Sequence, residues 1–326
     1  MAMAPKISVI VTVKNEGKTI EKLLASLQAQ TRPPDEIVIV DGGSTDQTVD
    51  IIQAWSKKLP IKLIVKPGSN ISQGRNLAIK EASGEIIAST DAGVKLSPVW
   101  LEALTRPFES GAKVVSGFFL PDVEGAFETA MGATVLPSLE DINPKKFLPS
   151  SRSVAFLKEA WEKVGGYPEW LDYCEDLIFD FKLRKLFGPF PFVPEAIAYF
   201  KPRTNLRDFF VQYYRYARGD GKADLWRLRH FIRYSTYFVL MPALFFLGLR
   251  VNPLWWLGFA VGGFLYLRNP YRRLFRMMKG LSFQEKILAF LLVPIIRVTG
   301  DIAKMAGYPV GVIWRIKHRP PIDWKN

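Results

Sequence analysis

The 326-residue sequence is poor in the side chains that many catalytic classes require. It holds one cysteine, Cys174, which excludes a disulfide framework and a multi-thiolate metal centre. Its two histidines, His230 and His318, argue against zinc catalysis and Ser-His-Asp hydrolysis. Internal repeats and low-complexity segments are absent. No charged and apolar leader opens the chain, so the first domain is expected in the cytoplasm. Acid is scarce in one region only. Residues 1–200 carry 22 Lys+Arg against 25 Asp+Glu, whereas residues 201–326 carry 22 against 6. A basic tail suits nucleic acid or anionic lipid. Because this tail is also crowded with Phe, Trp, Leu and Tyr, it points to a membrane and not to nucleic acid.

What is present begins with alternation. Ile7–Val13, Glu36–Val40, Ile61–Val65 and Glu85–Ser89 read as strands. Between them run helical patterns carrying Ile20, Leu23, Leu24 and Leu27, then Val49, Ile51 and Ile52 after a cap at Thr45 or Asp46, then Gln73–Glu81. This rhythm predicts an α/β fold, a mostly parallel, Rossmann-like sheet with helices on both faces. Ligands in such sheets bind at the carboxyl ends of the strands. Thr12–Glu16, Asp41–Asp46 and Thr90–Gly93 all fall at such ends and should converge on one crevice. Residues 121–151 look irregular and read as a flap on the acceptor side. Helical patterns follow over Ala155–Lys163 and Leu177–Leu186, and Phe192–Phe200 reads as a strand.

Composition changes near residue 201, so residues 1–200 form one predicted domain. Residues 201–230 read as amphipathic interfacial helices, with Leu206, Phe209, Phe210, Tyr213 and Ala217 on one face. Residues 231–268 hold two apolar runs, Phe231–Leu249 and Leu254–Leu267, each short against the roughly 20 residues of a spanning helix. Basic residues flank the pair on its outer sides, and the turn between carries only Arg250. A hairpin in the membrane with both ends cytoplasmic fits that pattern. Buried or interfacial helices are the alternative. Residues 269–326, including the short run Ile287–Ile296, read as a basic interfacial tail.

The ordered set Val9-Ile-Val-Thr-Val-Lys-Asn-Glu16, Ile39-Val-Asp-Gly-Gly-Ser-Thr-Asp46, Gly74-Arg-Asn76, Thr90-Asp91 and Glu175-Asp176 resembles family 2 glycosyltransferases over about residues 5–220. That resemblance implies the GT-A fold, inverting chemistry and a nucleotide-diphosphate-sugar donor. It implies nucleotide-sugar contacts at Thr12, Val13, Asn15, Glu16, Asp41, Arg75 and Asp91, with Asp41 suited to a uracil-like imide or a ribose. Asp41 and Asp46 could instead serve their turn and the next helix. Glu16 could be a helix-terminal charge, and Arg75 a surface ion pair rather than a diphosphate contact.

Glu175-Asp176 could be plain helix caps. In the family the second acid of such a pair is the general base, which assigns catalysis to Asp176. Glu175, Arg152, Lys201, Arg203, Gln212 and Arg215 are assigned to acceptor or diphosphate contacts. Gln212-Tyr-Tyr-Arg-Tyr216 is similar to the Q-x-x-R-W element of membrane-bound members, with Tyr in place of Trp. A phosphate acceptor, already ionised, needs no base, so a sugar or lipid hydroxyl is the expected acceptor, at the cytoplasmic face of the membrane. A processive polysaccharide synthase, a polyprenyl-phosphate glycosyltransferase and an inactive membrane scaffold are the alternatives.

The family's metal-binding pattern is incomplete. Gly93 stands where a second Asp is usual, and no histidine lies near Tyr199-Phe-Lys-Pro-Arg203. Asp91 and the diphosphate are expected to hold Mg or Mn; the alternative is that Lys201, Arg203 and Arg75 replace the cation's charge.

Overall fold

The computed structural model describes residues 5–324, which divide into two compact units. One comprises 5–122, 139–201 and Trp324; the other comprises 123–138 and 202–323.

The first unit is built on an eight-stranded sheet. Strands β1 (Ile7–Val13), β2 (Glu36–Asp41), β3 (Ile61–Val65) and β4 (Ile86–Asp91) are its parallel half. Strands β5 (Val94–Leu96), β6 (Val114–Pro121), β7 (Val154–Leu157) and β8 (Phe192–Phe200) complete the order β3-β2-β1-β4-β7-β6-β8-β5. The sheet is mixed: β7 runs antiparallel to β4 and β6, and β5 antiparallel to β8. The sequence rhythm missed β7 because its four residues run directly into a helix, so Ala155–Lys163 reads as one helical pattern.

Helices α1 (Ile20–Gln28), α2 (Thr48–Trp55), α3 (Ile71–Glu81), α4 (Trp100–Thr105), α6 (Lys158–Val164) and α7 (Glu175–Phe187) belong to this unit; α5 is described below. Helix α1 buries Ile20, Leu23, Leu24 and Leu27 completely, as the 3.6-residue spacing of these side chains dictates. Helix α3 begins with a capping box between Asn70 and Gln73. It also packs unusually close to the sheet. A Cβ at Gly74 would lie 2.8 Å from Thr12 Cγ2, so only glycine lets this first turn of α3 approach β1.

Register then aligns the strand ends. Thr12 pairs with Asp91, and Val13 with Asp41, so the three motif-bearing ends stand side by side at one edge.

In the second unit, residues 125–135 are not an irregular flap. They form α5 (Gly125–Val135), whose Ala126, Ala130, Met131 and Ala133 are buried. Small side chains dominate this helix, so it lacks the strong apolar stripe by which sequence periodicity finds helices. Helix α8 (Leu206–Lys222) lies along α12 (Phe283–His318), a 36-residue helix capped by Ser282 and Glu285. The run Ile287–Ile296 is part of α12 and buries Ala289, Val293 and Ile296 in a core with Phe209 and α5. Close approach of α8 and α12 relies on Gly307, Gly311 and Gly221. A Cβ at Gly307 or Gly311 would fall 2.1 Å from the carbonyl oxygens of Tyr214 or Arg218.

The first long apolar run lies in α9 (Arg227–Ser235), a π-helical stretch (Thr236–Leu240) and α10 (Met241–Arg250). Together they make a 24-residue helix, only 6% of whose most apolar window is buried. Among the described residues it is the one helix long and apolar enough to cross a membrane. The second run starts in a 3-10 turn, Pro253–Trp256, and continues into α11 (Leu257–Met277).

Candidate active site

The candidate site grows from the buried guanidinium of Arg75, in the first turns of α3. Arg75 is 3% exposed. Its Nη2 donates to Asp91 Oδ1 at 2.9 Å, at the end of β4, and its Nη1 to Glu175 Oε1 at 2.5 Å, at the start of α7. One cation thereby ties the sheet edge to the helix bearing the acid pair. Burial works against the charge of Arg75, but Glu175 and then Asp91 outweigh it and hold its pKa above the ordinary value. The Tyr167 ring lies under the guanidinium at 5.3 Å.

Asp91 is shared. Its Oδ2 faces Arg152 Nε at 3.3 Å, and Arg152 also stacks over Phe200 at 4.3 Å. The sequence assigned Arg152 to the acceptor or diphosphate without foreseeing this pairing.

The loop before α7 is stitched to α3. Asn76 accepts from the Tyr167 amide at 2.9 Å and the Trp161 indole at 3.0 Å, and donates to the Tyr167 carbonyl at 2.9 Å. Ser72 donates to the Leu171 carbonyl at 3.0 Å, and Asn70 to the Glu169 carbonyl at 2.7 Å. Gly166, at φ 71°, is required here, since a Cβ would meet Asn76 Oδ1 at 2.7 Å. Cys174 enters α7 in the left-handed region at φ 65°, a costly conformation for a residue with a side chain. It turns the chain so that Glu175 and Asp176 occupy the first turn of α7.

The two acids differ. Glu175 is buried, and burial, then the charge of Asp176, pushes its pKa up to about 7 against the pull of Arg75. Asp176 is half-buried, and burial raises its pKa too, with Arg75 opposing. Asp176 Oδ1 accepts from the Leu177 amide at 2.9 Å, while Oδ2 takes no hydrogen bond among the described residues. A carboxylate with one oxygen anchored and one open can accept a proton at the open oxygen, and a raised pKa makes it the stronger base. One turn further, Asp180 is buried, with an unpartnered Oδ2 and a pKa raised well above the usual range, by burial first and Asp176 second. Its place four residues after Asp176, on the same face of α7, is the sequence signal that points to it.

The donor-side residues are positioned less uniformly. Asp41 is fully buried. Its Oδ1 accepts from the Gly43 and Ser44 amides at 2.9 Å each, and its Oδ2 from Ser44 Oγ at 2.5 Å, so it organises its own turn. Asn15, at φ 56°, accepts from the Thr45 amide at 2.8 Å and joins that turn to β1. Val13 is buried in the core, and its carbonyl accepts from the Gly42 amide at 2.9 Å. Thr12 is half-buried against α3. Asp46 bridges Gly17 and Thr48 just before α2. Lys201 is exposed at the end of the first unit. Arg203, Gln212 and Arg215 belong to the second unit, where Gln212 donates to Tyr216 Oη at 2.8 Å and Arg215 is exposed on α8.

Among the described residues no three His, Cys, Asp or Glu side chains assemble a metal cage. The acids at the ends of β1 and β4 are Glu16 and Asp91. Both Asp91 oxygens face guanidinium groups, so of the two Glu16 is the carboxylate without an ion pair among the described residues; such a donor set would suit a cation that takes few carboxylates and completes its shell with phosphate oxygens, as Mg does.

Residues 8–151 match the family model of glycosyl transferase family 2. An uncharacterized glycosyltransferase of Nostoc sp. is 32% identical over 215 residues, 60% of this chain and 64% of that protein. Dolichol-phosphate mannosyltransferase of Pyrococcus furiosus is 25% identical over 235 residues, 67% of this chain and 66% of that protein. The chain thus spans just under two thirds of the length of these relatives. Among solved structures, the mannosyltransferase PcManGT of Pyrobaculum calidifontis, in complex with GDP-Man and Mn2+, matches with a TM-score of 0.55 and 19% identity. That match covers 98% of this chain and 89% of the other, and it is a likeness of fold. On the family-model match, the ordered motifs and the sheet that carries them, residues 8–151 are a glycosyl transferase family 2 domain, within a GT-A-like fold.

Proposed function

We propose that the protein is an inverting enzyme that transfers a sugar from a nucleotide-diphosphate-sugar, with UDP-sugars the first choice, to a hydroxyl of a lipid-linked glycan or lipid. The observation that carries this reading is the Asp91–Arg75–Glu175 chain with Asp176 beside it. It joins a strand-end edge suited to a nucleotide to a carboxylate with an open oxygen and a raised pKa.

In that reading Asp176 Oδ2 takes the proton of the acceptor hydroxyl as its oxygen attacks the anomeric carbon. The bond from that carbon to the diphosphate breaks on the opposite side, with inversion, and the nucleoside diphosphate leaves. Arg75 holds Glu175 beside the base, and Arg152, 22% exposed at its side chain against 4% for Arg75, is the more exposed of the two guanidinium groups on Asp91 and is assigned to the donor diphosphate. A divalent cation held at this edge would supply further neutralisation of the leaving diphosphate. The turn built by Asp41, Asn15 and Ser44 is assigned to the nucleoside.

Membrane association is supported by the exposed apolar helix Arg227–Arg250, the basic residues flanking it and the basic tail. We place the reaction at the cytoplasmic face. Similarity to dolichol-phosphate mannosyltransferase favours a second acceptor class, a polyprenyl phosphate.

The test is release of nucleoside diphosphate from a panel of UDP- and GDP-sugars, with membrane lipid extract or purified polyprenyl phosphate as acceptor. Transfer to a hydroxyl-bearing lipid that fails in Asp176→Asn, with donor binding kept, supports the reading. Transfer to polyprenyl phosphate alone, undiminished in that variant, replaces it with the second. Absence of donor binding removes both.

A further inference from the structure

Position 93 is empty of side chain where a second acid is usual, and the structure shows what faces the gap. A Cβ built on Gly93 meets a single neighbour within 4 Å, Glu16 Oε2 at 3.8 Å. Glu16 reaches this place from the other side of the β1–β4 pair, three residues beyond the end of β1.

Its position is fixed at both ends. The Glu16 amide donates to Thr48 Oγ1 at 2.8 Å, its carbonyl accepts from the Thr19 and Ile20 amides at 2.9 Å, and its Oε2 accepts from the Thr19 hydroxyl. The chain is turned there by the left-handed Asn15.

Charge separates the two acids of this edge. Each oxygen of Asp91 already faces a guanidinium, Arg75 on one side and Arg152 on the other. Glu16 makes no ion pair among the described residues and is half-buried. A divalent cation gains most from a carboxylate whose charge is not already spent, because the attraction scales with local net charge. Mg-type cations commonly take only one or two carboxylates and complete their shell with phosphate oxygens and water.

We propose that Glu16 supplies, from across the strand pair, the carboxylate that residue 93 lacks, so that the cation accompanying the donor diphosphate is held by Glu16. Asp91 then acts as the partner of Arg75 and Arg152, positioning the two guanidinium groups. The proposal rests on the donor reading above. An acid that merely offsets the dipole of α1 would have no effect on cation binding.

The experiment measures Mn2+ binding to the full-length protein by electron paramagnetic resonance, in the presence of UDP and, separately, GDP. Nucleotide binding is followed in parallel by calorimetry without metal. Glu16→Gln keeps the acceptor for Thr19, so local folding is preserved. It should weaken Mn2+ by about tenfold or more, since groups that merely orient metal ligands already act on a 10–100-fold scale. Glu16→Gln combined with Gly93→Asp should recover most of that loss. Wild-type Mn2+ affinity in Glu16→Gln overturns the proposal and leaves the transferase reading intact. So does a wild-type protein that binds nucleotide but no Mn2+. A wild-type protein that binds neither nucleotide nor Mn2+ overturns both.

Discussion

Replacing Arg75 by Met removes the one cation between Asp91 and Glu175 while keeping an unbranched apolar stem. The guanidinium and Glu175 side chains are 4% and 8% exposed, so solvent screens their pairing little. Breaking a buried pair by deleting one partner costs about 3–5 kcal/mol, because the other charge stays in place uncompensated. Here the cost should depend on pH in a defined direction. Glu175 titrates at about 7 in the presence of Arg75. Without the guanidinium its pKa moves higher, and the folded variant keeps a proton that the folded wild type gives up. Above about pH 7 the variant therefore loses a further 1.4 kcal/mol or so per pH unit relative to wild type, until Glu175 ionises in both. Below about pH 6 Glu175 is protonated in both and the cost is smallest. Urea unfolding followed by circular dichroism at pH 6 and pH 8.5 measures this. In Arg75→Met/Glu175→Gln the pH-dependent part should vanish. A cost below about 1 kcal/mol, or one equal at the two pH values, would refute the assignment of Arg75 as the buried hub.

Three further outcomes are expected. Asp176→Asn should lower transfer about 10²–10⁴-fold while donor affinity, read by calorimetry, stays near wild type. Asp180→Asn removes an acid whose folded pKa is raised, so wild-type stability falls as pH rises above about 4 for a reason the variant lacks. Relative to wild type, the variant should gain stability in urea unfolding as pH rises above that point, and parallel curves would contradict this. Gly311→Val places side-chain atoms against the Arg218 carbonyl, 2.1 Å from the first of them, and should lower the thermal midpoint through about 1–3 kcal/mol of overpacking.

Legibility in the sequence followed the length and regularity of each element. The parallel half of the sheet was readable because β1, β2 and β4 are six or seven residues long and mostly buried, and β3 is a five-residue stretch rich in Ile, Leu and Val, with periodic helices such as α1 between them. Strand β7 was unreadable because four residues carry no usable period, and α5 because alanine and glycine bury little distinguishing surface. At the site, the identities of Arg75, Asp91, Glu175 and Asp176 could be picked out from ordered motifs. Their connection could not. Arg75 and Glu175 are 100 residues apart, and only the close packing permitted by Gly74 and the Asn76 clasp on the Tyr167 loop brings them together. Asp41 shows the reverse failure. Its position at a strand end is common to a nucleotide contact and to a turn organiser, and the filled hydrogen bonds of its carboxylate are visible only in three dimensions.

The linkage through Arg75 also bears on how the two ends of the proposed reaction influence one another. A diphosphate drawing on Arg152 would weaken that residue's hold on Asp91, leaving Asp91 to lean on Arg75 alone. Arg75 cannot move far, since it is buried on Tyr167 and bonded to Glu175, so any change in its pairing is felt as charge at Glu175. Glu175 in turn raises or lowers the proton affinity of Asp176, because the two acids lie side by side in one helical turn. Less compensation at Glu175 favours a proton on one member of the acid pair; more compensation favours two carboxylates. On the proposed function, donor occupancy would therefore shift the pH at which Asp176 becomes competent as a base. The apparent acidic limb of kcat/KM should then differ from that of kcat, since the first reports the free enzyme and the second the donor complex. Coincident limbs would show that the strand edge and the acid pair act independently despite sharing one guanidinium.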